Sequence, residues 1–146
     1  MIRTASVDDL DRLVLLAELM AAESPSYSAY TLDIERVRRT IEAMINSPDA
    51  TVLITEDGTG MLGAYVGQLP WFTEKFAFEA GFFVIQEMRG TRRAIELIRG
   101  FETWAASMGV KEIKIGTSTG VHHDKTTSIF TRLGYRLAGE SFKKEI

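Results

Sequence analysis

The chain contains no cysteine among its 146 residues, which excludes disulfides, thiolate metal sites and a cysteine nucleophile. Histidine occurs only twice, as the neighbours His122 and His123. Adjacent side chains leave the backbone in different directions, so no metal site is expected. An excess of positive charge is also missing: 17 Lys and Arg against 20 Asp and Glu give a formal charge of -3. Nucleic-acid binding relies on clustered cations that neutralise phosphates, so a nucleic-acid partner is not expected. No apolar run reaches the roughly 18 residues of a membrane span, and the start, Met1 to Asp9, lacks the basic and apolar regions of a signal peptide. The expectation is a cytoplasmic protein with no membrane partner. There is no internal repeat and no low-complexity segment.

What is present is ordinary for a globular protein, 45% hydrophobic and 25% charged. The length suits one domain over residues 1–146 with its own core. Ile2 to Ala5 can form a short strand. Ser6 with Asp8 and Asp9 then marks a helix start, and Leu10, Leu13, Val14, Ala17, Met20 and Ala21 recur at helical spacing. A polar, aromatic loop from Glu23 to Tyr30 follows; because loops carry binding groups, Tyr27 and Tyr30 are candidate substrate contacts as well as loop anchors. Thr31, Asp33 and Glu35 open a second helix, with Val37, Ile41, Met44 and Ile45 as its apolar stripe. Ala50 to Thr55 reads as a strand, Asp57-Gly58 as a hairpin turn into Met61 to Leu69, and Phe76 to Ile85 as a third strand of a meander.

The stretch from Phe76 to Trp104 organises the rest. Its near-continuous apolar strand implies that both faces are covered. Glu79 within it is either paired structurally or placed for chemistry, and Gly81 beside it points to a bulge or a close backbone approach. A short turn leads to Arg89-Gly-Thr-Arg-Arg-Ala94 at the start of a long helix. Arginines do not complement the positive end of a helix dipole, so Arg89, Arg92 and Arg93 make local sense if something negative sits there. The alternative is a solvated basic helix start. Ala94, Leu97, Ile98, Phe101, Trp104, Ala105 and Met108 form one core stripe ending at Gly109. Val110 to Ile115 is expected as a parallel strand after this crossover. The segment Gly116 to His123 reads as a polar loop. Asp124 is expected to cap a short helix with Thr126, Ile129, Phe130 and Leu133 inward, and Tyr135 to Ala138 with Ser141 to Glu145 to close the chain as a hairpin.

This order resembles the GCN5-related N-acetyltransferase (GNAT) family across nearly the whole chain. Arg89-Gly-Thr-Arg-Arg-Ala94, five residues after Val84, is similar to the family's pyrophosphate loop, Q/R-x-x-G-x-G/A. Thr126 to Tyr135 resembles its late helix and Leu-Gly-Phe/Tyr close. The fold implied is α/β (α+β): a mixed, mostly antiparallel central sheet of about six or seven strands, with helices on both faces and one parallel, splayed strand pair.

The activity implied is transfer of an acetyl group from acetyl-CoA, as co-substrate and without a metal, to a primary amine on a small molecule or protein. A lysine-like amine is neutral only about once in a few thousand molecules at pH 7, so a base is valuable, and Glu79 lies where some relatives carry one. The resemblance implies CoA contacts at Phe82, Val84, Arg89, Gly90, Thr91, Arg92, Arg93, Ala94 and Phe130. His123 lies near a family asparagine that often contacts CoA. Val84 would supply a polarising N–H, on a strand that pairs with the pantetheine amides.

Two departures stand out. Arg92 occupies the place of the motif's first glycine, and Phe130 replaces a tyrosine that in many relatives protonates the leaving thiolate. They keep open a catalytically silent CoA-binding module. An interaction protein that forms a homodimer through its strand edges is the third class, and the motif drift suits a phage or bacterial relative.

Overall fold

A computed structural model describes residues 1–117 and 119–146; Ser118, inside the polar loop expected at 116–123, lies outside the described residues. The elements run β1 (Ile2–Thr4), α1 (Leu10–Glu23), α2 (Ile34–Asn46), β2 (Ala50–Thr55), β3 (Gly60–Gln68), β4 (Lys75–Val84), α3 (Arg93–Ser107), β5 (Glu112–Lys114) and α4 (His123–Arg132). Single 3-10 turns at Val7–Asp9 and Gln86–Met88 lead into α1 and the loop before α3. The strands lie in one sheet in the order β1-β2-β3-β4-β5. All neighbours are antiparallel except β4 and β5.

Local chemistry explains the starts of the helices. The Asp9 carboxylate accepts from the Ser6 N–H at 2.8 Å, which satisfies a donor at the entry to α1. Asp33 caps α2 by accepting from the Arg36 N–H at 3.0 Å. At the β2–β3 turn Gly58 takes φ 67°, a left-handed conformation that glycine adopts at no steric cost.

The two faces of the sheet have separate cores. On one, Leu13 and Leu16 of α1 meet Val52, Ile54, Met61 and Phe83, with Ile41, Met44 and Ile45 of α2 packed alongside. On the other, Leu97, Phe101 and Ala105 of α3 cover Leu53, Leu62, Ala64, Ala77 and Val84. Burying each large side chain is worth about 1.5–3 kcal/mol, so the α3 stripe alone anchors that helix. Gly100 lets α3 approach closely: a Cβ there would lie 2.3 Å from Ile2 Cδ1 and 3.1 Å from Leu53 Cδ1.

The helices on both faces, the meander and the parallel pair match the expected fold, but the strand count among the described residues is five rather than six or seven. The expected hairpin of Tyr135–Ala138 and Ser141–Glu145 has no strand structure. Its apolar residues have no sheet face to pack on: Leu137 is 80% and Phe142 90% exposed. A two-stranded hairpin without such burial is marginal in water.

Candidate functional site

The parallel pairing is short. Among the described residues β4 meets β5 only at Phe76–Glu112, Ala77–Ile113 and Phe78–Lys114, and from Glu79 onward the β5 side of β4 has no strand partner. The break coincides with a β-bulge: Gly63 faces Gly81 and Ala64 faces Glu79, which leaves Ala80 as the extra residue. A bulge bends its strand, so the parting of β4 and β5 has a local cause. That cause is Ala80; a Cβ on Gly81 would meet only Met20 Cε, at an ordinary 3.8 Å. Between the parted strands lies a cleft of about 740 Å³. Its walls come from Glu79 to Val84 of β4, the loop from Gln86 to Ala94, the segment after β5 and one face of α4.

The main-chain groups along this open edge can be assigned. The Ile85 N–H donates to the Thr59 carbonyl at 2.9 Å, towards β3. Alternation along a strand then turns the peptide groups of Val84 and Phe82 towards the cleft. The Val84 carbonyl accepts from Arg89 Nε at 3.0 Å, which leaves its N–H for the open side.

Glu79 sits at the apex where the strands part. Its side chain is half-buried and its Oε2 accepts from the Gly116 N–H at 3.4 Å, across the opening. Burial pushes its carboxyl up to about 7, and the Gly116 hydrogen bond opposes this only weakly. Among the described residues no Lys or Arg forms an ion pair with it.

The loop arginines are arranged differently from the sequence expectation. The negative groups they need are carboxylates of the chain itself. Arg89 forms a bidentate pair with Glu23 at the end of α1, with Nη2 to Oε2 at 2.6 Å. Its guanidinium also lies 5.4 Å from the Phe83 ring centre. This pairing holds the Glu23 carboxyl below its usual range. Arg93 pairs with Asp57 of the β2–β3 turn, and that contact together with Thr59 holds the Asp57 carboxyl well below the usual range. Arg92 is 91% exposed and lies 3.9 Å from Glu96.

The loop backbone is what remains available to an anion. Gly90 takes φ 77°, and the Thr91 hydroxyl donates to the Met88 carbonyl at 2.6 Å. Arg92 has ordinary helical dihedrals, φ -72° and ψ -13°, so its place in the motif imposes no strain. The N–H groups of Gly90, Thr91, Arg92 and Ala94 meet no acceptor among the described residues. They sit at the partly positive end of α3.

Glu79, Phe82, Val84, Arg89, Gly90, Thr91 and Ala94 therefore line one cleft, while Arg92 and Arg93 lie outside its wall. His122 lines it in place of His123 and adopts a left-handed conformation with φ 46°. Sequence reasoning missed Lys125, Ser128 and Arg132, which with Ile129, expected only as an inward apolar residue, line the cleft along one face of α4 beside Asp124 and Thr126. Their i, i+3, i+4, i+7 spacing was the signal for a shared face.

Phe130 points off that face. It is buried against Phe82 and Tyr135, with ring centres 6.5 and 5.8 Å away. Tyr135 lines a separate cavity beside Glu102, where burial pushes its hydroxyl up. Tyr27 and Tyr30 pack on each other at 5.8 Å and do not line the cleft. Among the described residues no group of three or more His, Asp or Glu is placed to hold a metal ion.

Solved structures share this architecture. An aminoglycoside antibiotic 6′-N-acetyltransferase from Acinetobacter haemolyticus is 19% identical with a TM-score of 0.73, over 100% of this chain and 99% of that one. An aminoglycoside N-acetyltransferase in complex with CoA is 17% identical with a TM-score of 0.77, over 100% and 93%. A transcriptional regulator from Bacillus halodurans C-125 is 17% identical with a TM-score of 0.78, over 100% and 99%. At these identities the likeness shows a shared fold. No curated protein matches in sequence. The family itself is defined by its sequence model: residues 15–135 match the Acetyltransferase (GNAT) family, and the chain belongs to it.

Proposed function

We propose that the chain is an acetyl-CoA-dependent N-acetyltransferase that moves an acetyl group to a primary amine by direct attack, with Glu79 as the base. The observation that carries this reading is the position of Glu79, without a cationic partner at the apex of the parted strands, with its carboxyl near 7. A base with that value is close to half ionised at neutral pH and can take a proton as the amine attacks. The unpaired N–H groups of Gly90, Thr91, Arg92 and Ala94 suit a diphosphate. The open edge at Phe82 and Val84 suits an extended amide chain that pairs like an added strand, and the Val84 N–H is available to a carbonyl oxygen that gains negative charge. Acetyl-CoA would bring the thioester. Its thiol has a pKa of roughly 8.5 and leaves without obligatory protonation, so the reaction does not depend on a hydroxyl at position 130.

The experiment is a calorimetric titration with acetyl-CoA followed by a thiol-release assay over an amine panel that includes aminoglycosides and peptide amines. Binding in the micromolar range and turnover that falls about 10²-fold or more in Glu79→Gln are the expected results. Absence of binding at millimolar acetyl-CoA overturns the proposal. Phe130 supports a second reading, a CoA-binding module without turnover, for which binding would persist while every amine fails.

A further inference from the structure

The cleft has two walls that belong to different parts of the chain, and consecutive residues at the end of α1 touch both. Glu23 holds Arg89, whose Nε holds the Val84 carbonyl on the β4 wall. Ser24 is fully buried, and its hydroxyl donates to the Thr119 carbonyl on the opposite wall while accepting from the Tyr27 N–H at 3.2 Å. Thr119 and Val121 of that wall line the cleft, as does Arg89. Among the described residues no strand pairing joins the two walls beyond Lys114, and the links across them are side-chain contacts: the Glu79–Gly116 hydrogen bond at the apex, the Phe82–Phe130 packing, and the contacts of Glu23 and Ser24.

We propose that Glu23 and Ser24 form a strap that sets the width of the cleft, acting as positioning residues for the acyl-CoA ligand. The contacts run in series, Val84–Arg89–Glu23–Ser24–Thr119. A break at any point removes this tie, leaving the Glu79–Gly116 hydrogen bond and the Phe82–Phe130 packing to hold the walls, and a second break in the same series adds little. The strap fixes where the Val84 N–H stands relative to the far wall, and Glu23 reaches the ligand only through Arg89. As an inference about CoA placement it rests on the acetyltransferase reading, but the strap itself also exists in the free protein.

The test uses the full chain and the variants Glu23→Ala, Ser24→Ala and the double variant, with surface Glu18→Ala as control. All are compared at a temperature well below their melting points. Calorimetry with acetyl-CoA is expected to show each single variant about tenfold weaker and the double variant no weaker than about the same tenfold. Independent fold contacts would multiply instead, to about a hundredfold. Hydrogen exchange on the free protein is expected to accelerate at the bonded amides of Phe83 and Ile85 on one wall and of Gly120 and Val121 on the other, equally in both single variants. Multiplicative losses, or exchange that changes only on the wall next to each substitution, overturn the strap. If wild-type protein fails to bind acetyl-CoA yet the shared exchange pattern appears, the acetyltransferase reading fails and the strap stands as a device for a different ligand.

Discussion

Substitution of Glu79 by Gln is expected to stabilise the protein, and by an amount that depends on pH. Burial raises the carboxyl from 4.5 to about 7 in the folded state. Below pH 4.5 the group is protonated whether the chain is folded or not, so it contributes no pH dependence. Between 4.5 and about 7 the unfolded chain releases the proton while the folded one keeps it, and stability falls as pH rises. Above about 7 the loss is complete and constant. Each pH unit between the two values is worth about 1.4 kcal/mol, which sets an upper bound of about 3 kcal/mol. Contact with solvent in the open cleft reduces this to about 1–2 kcal/mol. Glu79→Gln lacks the titration, so urea unfolding at pH 4 and pH 8 should show the variant gaining that amount on wild type between the two. An unchanged difference between them would refute the claim that desolvation controls this carboxylate. It would also remove the physical basis for treating it as a base.

Three other outcomes are expected. With an acceptor amine that titrates well away from neutrality, kcat/KM for thiol release should rise with pH through about 7, and Glu79→Gln should remove that limb, as read from a pH–rate profile. Gly100→Leu should lower the urea midpoint by the equivalent of about 1–3 kcal/mol, because any Cβ overlaps Ile2 Cδ1; an unchanged midpoint would mean that α3 is not seated on β1 and β2 as described. Asp57→Asn should remove stability that is present above about pH 3.8 and lost as acid protonates the carboxylate paired with Arg93. The pair is partly exposed, so the effect should be at most about 1 kcal/mol, seen as a shallower acid limb in thermal melts against pH.

Periodicity and turn chemistry made most of the fold legible. The stripe of Leu97, Ile98, Phe101 and Ala105 announced both the helix and its buried face, and Asp57-Gly58 announced the hairpin, because these signals act within a few residues. The closing hairpin failed because strand formation there depended on a distant partner that a local pattern does not supply. Around the cleft, sequence reading brought the loop and Glu79 together but did not supply the carboxylate partners of Arg89 and Arg93. Their partners, Glu23 and Asp57, lie 66 and 36 residues away along the chain, and nothing local marks such pairs. On α4 the expected inward stripe of Thr126, Ile129, Phe130 and Leu133 matches the burial, while the cleft face beside it, with Lys125, Ser128 and Arg132, carries no apolar signal to mark it.

On the proposed reading, the open donors at the start of α3 belong to the main chain, so the information for holding a diphosphate would be written in dihedral angles rather than in side chains. Gly90 is the position where that geometry constrains residue choice, through its φ of 77°. At Arg92 the backbone is one that nearly any L-residue adopts. A library randomised across this loop should therefore retain ligand capture at position 92 with most residues and lose it sharply at position 90. Proteins that recognise phosphate this way can drift far in sequence while keeping the grip itself unaltered.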